Sequence, residues 1–174
     1  MNVGANSETD YGNYYQWGAI ETYQNTDQYY TGTNTLPTSR DIVALTWWGN
    51  WRMPTKVEFD SLIESTNYTW ETNFNGSGVN GGKFTDKTDS SKYVFFPAAG
   101  IYYDGRLYDV GSEGEIWNST PDVGDNAYRL YYFDIDNDGS HSDNRRHGYS
   151  VRGVLDDSDE FYNTNSPTTP DNWI

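Results

Sequence analysis

The segment Asp134-Ile-Asp136-Asn-Asp138-Gly139 spells the opening of a calcium-binding loop, with carboxylates at the first, third and fifth positions and then a turn-permitting glycine. The rest of the motif fails. The twelfth position, where a bidentate glutamate completes the coordination, is Arg145, and the eighth, normally aliphatic, is His141. With Arg145 and Arg146 close by, Asp134, Asp136 and Asp138 read as a solvated acidic turn ahead of calcium ligands. His141 and His147 fall near Asp136, Asp138 and Asp143, a mixture that suits a metal or acid–base site. No third ligand spacing recurs, so exposed histidines without such a task are the simpler reading, and no cofactor is expected.

Glu113 and Glu115 offer the carboxylate pair that glycosidases use, and a spacing of two along a strand puts them on one face. That spacing specifies no separation across a substrate. Ser119 and Ser150 lack the strained Gly-x-Ser-x-Gly turn, and no glycine loop ending in Gly-Lys-Ser/Thr is present to cradle phosphate. The sequence therefore points away from an enzyme. The informative segment is Arg129 to His147, in which 12 of 19 residues are Tyr, Asp, Asn, Ser or His and none is Lys, Glu, Gln, Met or Trp. Tyrosine gives rigid amphipathic contact area at low entropic cost, and the short polar residues give adaptable hydrogen bonding, as in antibody paratopes. An ordinary polar loop would have equally polar flanks, whereas Ala127-Tyr128 and Gly148 to Leu155 read as strand.

The elements that hold these residues follow from composition and pattern. A chain of 174 residues has room for one core. Its 11 Lys+Arg against 26 Asp+Glu give a charge of −15, which argues against nucleic acid and anionic membranes as partners. No apolar run approaches the roughly 20 residues of a membrane helix, and Met1-Asn-Val-Gly-Ala5 lacks the pattern of a signal peptide. The absence of cysteine excludes disulfides and thiolate zinc sites. Hydrophobic content is only 34%, but 7 Trp, 16 Tyr and 7 Phe can still fill a core.

Thr55-Lys-Val-Glu58 after Pro54 is a capping-box spelling, predicting a helix over Thr55 to Ser65 that buries Val57, Phe59, Leu62 and Ile63. A second helix is predicted from Thr38-Ser-Arg-Asp41 through Trp48, ending near Gly49-Asn50. Short strands are predicted at Tyr93 to Phe96, Ile101 to Tyr103, Glu115 to Trp117, Tyr128 to Phe133 and Tyr149 to Leu155. Asp104-Gly105 signals a two-residue hairpin turn between Ile101-Tyr-Tyr103 and Arg106-Leu-Tyr108. Alternation sends Leu130 and Tyr132, with Tyr128, toward the core and Arg129, Tyr131 and Phe133 outward. The expected class is α+β, with two helices in the first half and a loop-rich antiparallel β second half. Residues 1-155 form the expected domain, and 156-174 read as an acidic and polar tail or strap.

Five blocks add a resemblance: Tyr11-Gly-Asn-Tyr-Tyr-Gln-Trp-Gly18, Trp51 to Phe59, Phe95-Phe-Pro-Ala-Ala-Gly100, Val110 to Thr120 and Gly148-Tyr-Ser-Val-Arg-Gly-Val154. In this order they resemble the Bacteroidetes and Fibrobacter paralogous family, which has a C-type-lectin-like fold of the formylglycine-generating-enzyme type. They also resemble variable proteins of diversity-generating retroelements, including those of gut bacteriophages. The resemblance implies a rigid scaffold displaying a C-terminal region diversified at template adenines. Asparagine codons altered in that way never yield Lys, Glu, Gln, Met or Trp, a filter that Arg129 to His147 obeys. It further implies display of Tyr103, Asp104, Arg106, Tyr108 and Asp109 beside Arg129, Tyr131, Asp134, Asp136, Asp138, His141, Asp143, Arg145 and His147. The implied partner is a protein or glycan receptor on a bacterial cell, and the implied location is a virion or cell surface. Formylglycine-generating chemistry needs cysteine, which is missing, as are the Glu-Pro-Asn and Gln-Pro-Asp triplets of calcium-dependent sugar binding. A carbohydrate-binding module, with calcium at Asp134, Asp136 and Asp138, is the alternative, and a glycosidase using Glu113 and Glu115 is a further one.

Overall fold

A computed structural model describes residues 1–156, so of the tail expected at 156-174 all but Asp156 lies outside the described residues. Among the described residues the fold is α+β, with mostly strands and two α-helices. In chain order the elements are β1 (Tyr14–Tyr15), α1 (Ile42–Thr46), β2 (Trp51–Arg52), α2 (Lys56–Ser65), β3 (Thr66–Glu71), β4 (Gly81–Asp86) and β5 (Tyr93–Pro97). There follow β6 (Ile101–Tyr103), β7 (Arg106–Tyr108), β8 (Glu113–Pro121), β9 (Asn126–Phe133), β10 (Asn137–Asn144), β11 (Tyr149–Val151) and β12 (Val154–Leu155).

The largest sheet has the order β1-β11-β8-β9-β10. Its pairs are antiparallel, as expected of the second half, except β11 with β8, which run parallel. Strands β3, β4 and β5 form a second antiparallel sheet, while β2–β12 and β6–β7 are two-stranded. Side-chain alternation makes the large sheet a partition. Ile116, Leu130 and Tyr132 pack with Phe59, Leu62, Phe84 and Phe96 in one cluster, and Trp117, Tyr149 and Val151 pack with Tyr15, Trp17, Val43 and Met53 in the other. The aromatic polar ends are satisfied: Trp17 Nε1 donates to Asn118 O at 2.8 Å, Trp117 Nε1 to Tyr15 O at 2.9 Å, and Tyr132 Oη to Pro97 O at 2.9 Å.

Helix α2 starts as its capping box predicts, with Thr55 Oγ1 accepting from Glu58 N and the Glu58 carboxylate accepting from Thr55 N. Phe59 and Leu62 are buried, but Val57 is 70% exposed, against expectation. Two residues from Phe59 amount to roughly 200° around the helix, which places Val57 on the solvent side. The other helix is shorter than predicted. Its cap is Asp41, whose carboxylate accepts from Val43 N at 2.9 Å and Ala44 N at 3.2 Å while also accepting from Met53 N at 2.8 Å. It ends at Thr46, leaving Trp48 in solvent.

The greatest departure concerns Arg129 to His147. The first part of this segment is the expected strand, β9 running to Phe133, but after a turn at residues 134–136 the expected loop is a further strand, β10, which returns antiparallel with Ser140 opposite Leu130 and His141 opposite Arg129. Among the described residues no helix is long and apolar enough to cross a membrane.

Candidate functional site

The β6–β7 hairpin carries Tyr103, Arg106 and Tyr108 of the predicted site, with Asp104 in its turn. Asp104 and Gly105 take φ of 47° and 75°, the positive values that a type I′ turn requires at both positions. The hairpin is fastened at Tyr102, whose N–H and carbonyl exchange 2.9 Å hydrogen bonds with Gly148. The Tyr102 ring lies against Tyr23 at 4.9 Å, stacked, and Tyr14 at 5.0 Å, edge-on. Gly105 N donates to Tyr23 Oη at 3.3 Å. Position 148 must be glycine, because a Cβ there would sit 2.6 Å from the Tyr23 ring and 2.8 Å from Tyr102 Cβ. Beyond this anchor the hairpin projects: Tyr103 is 55% exposed, and Arg106, Leu107, Tyr108 and Asp109 are exposed as well.

A cleft of about 760 Å³ opens between the hairpin, the loop at residues 23–27 and the turn that follows β10. Tyr103 and Asp104 line it from the hairpin, Asn144, Arg146 and His147 from the turn, and Tyr23, Asn25, Thr26 and Asp27 from the loop. Buried Gln16 holds the loop in place. Its amide Nε2 donates to Gln24 O at 3.2 Å and Thr26 O at 2.8 Å, and its Oε1 accepts from Gln28 N at 2.7 Å. Arg146 crosses the cleft to Asp27, with Nη2 at 2.5 Å from Oδ1.

His147 links the cleft to the sheet. Its ring meets Tyr103 edge-on at 5.1 Å, and its Nδ1 is 3.2 Å from Asp143 Oδ1. Asp143 Oδ2 accepts a short hydrogen bond from Tyr149 Oη and a 3.4 Å contact from Arg129 Nε. Desolvation alone would raise the Asp143 pKa, but hydrogen bonds with His147, Tyr149 and Asn144 N hold it well below the usual carboxylate range. Next to this network lies Glu115, only 4% exposed. Burial pushes its carboxyl up to about 7, with Glu113, Asp143 and Asp109 adding to the shift and Arg129 opposing it.

Of the predicted site residues, Tyr103, Asp104 and His147 meet at the cleft. Arg106, Tyr108 and Asp109 sit on the same hairpin or just after it. Tyr131 and Asp143 lie on the sheet, and Arg129, expected to be displayed, is instead largely covered, its side chain 13% exposed and its guanidinium 4.8 Å from the centre of the Tyr131 ring. Exposed His141 stands opposite Arg129 in the register. Asp134 and Asp136 are exposed in the β9–β10 turn, separated from the cleft by the eight residues of β10, the strand that holds Asp138. Asp136 Oδ1 accepts from Asn137 N at 2.8 Å, and strand pairing begins at Asn137, so the acidic run does not wrap as a calcium loop. Among the described residues no three His, Asp or Glu side chains gather as a metal-binding group.

Arg145 is a correction: it is 1% exposed and belongs to the interior. Its guanidinium donates to the carbonyls of Asn126 at 2.9 Å, Tyr30 at 3.0 Å, Gly32 at 2.9 Å and Asp122 at 3.4 Å, and lies 4.3 Å from the Trp17 ring centre. Four carbonyls turned inward without partners would each cost free energy, and Arg145 satisfies them all. Sequence reasoning missed Gln16, Tyr23, Asn25, Thr26, Asp27 and Arg146. Tyr23 and Asn25 follow the Tyr11–Gly18 block closely, but only long-range packing shows that they face the hairpin. Comparisons with family models, curated proteins and solved structures return no significant match to this chain.

Proposed function

We propose that this protein is a non-catalytic binding protein that recognises a protein or glycan receptor on a bacterial surface through the hairpin, the cleft and the outward residues of β9 and β10. The observation that carries this reading is a firmly anchored hairpin whose Tyr103, Asp104, Arg106 and Tyr108 make little of the core. Such a platform can change its contact residues without losing its fold. Aromatic anchors, with Tyr103, Tyr108 and Tyr131 foremost, supply most of the affinity in this reading. The burial of Glu115 supports it over glycoside hydrolysis, because a general acid needs access to the leaving oxygen.

The five sequence blocks extend the proposal. The fold is of the C-type-lectin-like kind, the diversified segment lies within residues 104 to 147, and display is on a virion or cell surface for host recognition. Binding of the labelled chain to a panel of gut bacterial cells tests the function. Tyr103→Ala together with Tyr108→Ala is expected to lower affinity at least about tenfold while leaving the thermal midpoint nearly unchanged. Binding that survives this pair undiminished overturns the assignment of the surface. The diversification claim has its own test in the neighbouring DNA, where a reverse transcriptase gene and a template repeat differing at adenines are expected.

A further inference from the structure

Four strands of the large sheet send charged or phenolic side chains to one spot behind the cleft: Glu115 from β8, Arg129 from β9, Asp143 from β10 and Tyr149 from β11. Two of these groups have unmade hydrogen bonds. Glu115 Oε2 and Arg129 Nη1 are both buried without a partner. An ionised carboxylate taken out of water with an oxygen left without a hydrogen bond is disfavoured, so this arrangement favours the neutral form of Glu115. Its elevated pKa, about 7, has burial as its first cause.

Arg129 reaches Asp143 only through the 3.4 Å contact of Nε, and Asp143 has other donors in Tyr149, His147 and Asn144 N. Loss of Arg129 would leave Asp143 bonded, whereas among the described residues Arg129 is the cation that acts on Glu115. We propose that Arg129 is a two-position arm, resting on Asp143 while Glu115 is protonated and turning to Glu115 when that proton leaves for solvent. The second position withdraws a cation from the Asp143 carboxylate that His147 also contacts, and His147 packs on Tyr103, so the cleft wall responds to pH. The titratable groups around Glu115 are Glu113 on its own strand, Arg129 and Tyr131 on β9, Asp143 on β10, Tyr149 on β11 and Asp109 before β8. His147 faces Asp143 from the turn after β10, and Tyr132, which also feels Glu115, lies on the other face of β9.

The importance of this arm for recognition rests on the cleft being the binding surface, but the arm itself is read without a ligand. The experiment follows the Glu115 carboxyl carbon and the Tyr103 and Gly105 amides by NMR in the full chain from about pH 5 to about pH 9. The expected result is a Glu115 midpoint near 7, with a matching inflection at Tyr103 that disappears in Glu115→Gln. A Tyr103 inflection unchanged in Glu115→Gln shows that Glu115 is not its source and overturns the proposal. If the variant does not fold, the wild-type carboxyl decides. A midpoint below about 5, or Tyr103 silent at the Glu115 midpoint, overturns the arm. Failure of the hairpin variants to affect cell binding would instead count against the recognition surface and leave this titration intact.

Discussion

Arg145 and Arg146 are adjacent in sequence and opposite in role. Removing the Arg145 side chain orphans four carbonyls and opens space beside Trp17, so Arg145→Ala is expected to cost about 3–5 kcal/mol in urea unfolding. Arg146→Ala, which breaks an exposed pair with Asp27, is expected to leave the unfolding midpoint almost unmoved. Glu115 carries a different signature. A carboxyl whose pKa rises from 4.5 in the unfolded chain to about 7 in the fold favours folding most when protonated. Stability from this group is therefore full below about pH 4.5 and is lost as pH rises through 7. Glu115→Gln is expected to raise stability at pH 8 by on the order of 2–3 kcal/mol and to leave it little changed at pH 4, as thermal denaturation at both values will show. Asp143 has the reverse sign: its depressed pKa stabilises the fold above the ordinary aspartate range, and that contribution fades as acid protonates it.

At the scale of elements, the β6–β7 hairpin depends on Tyr102 and Gly148. Tyr102→Ala removes the stack on Tyr23 and the edge contact with Tyr14. Hydrogen exchange is expected to accelerate at Tyr103 and Gly105 while amides of β8 and β9 stay protected. An exchange rate unchanged at Gly105 would show that the backbone pairing with Gly148 suffices alone. The hairpin itself was legible from Asp104-Gly105, and α2 from Thr55 and Glu58, because both signals are local chemistry. β10 was not legible. Asn137 to Asn144 contains no β-branched or large apolar residue, and it is a strand only because β9 offers it a partner. The same limit governs the site: display of Tyr103, Asp104 and His147 is what the resemblance of the five blocks implies, with composition supporting only the stretch that holds His147, whereas the loop stapled by Gln16 and the burial of Arg145 depend on contacts made far along the chain. Nothing local in the sequence marks Arg145 as interior, because the Tyr30 and Gly32 carbonyls that claim it lie 115 and 113 positions away.

For the molecule as a whole, the separation of display from core carries the main expectation. Substituting Tyr103, Arg106 and Tyr108 together with small polar residues is expected to shift the thermal midpoint by no more than a few degrees, since exposed positions change stability little. A fall comparable to that of a core deletion would mean that the hairpin supports the scaffold as well as the surface. The charge of −15 favours cationic patches on the partner, and association rates are expected to fall as salt rises.

The sheet closes across the whole described chain. Ser150 Oγ donates to Tyr11 O at 3.0 Å, a contact between residues 139 positions apart, and β1 and β8 flank β11. During translation, then, β1 waits for its neighbour until nearly the entire domain has left the ribosome. A nascent chain halted before Tyr149 keeps the flank of β8 bare, and such intermediates are expected to need chaperone shelter and to fold slowly once complete.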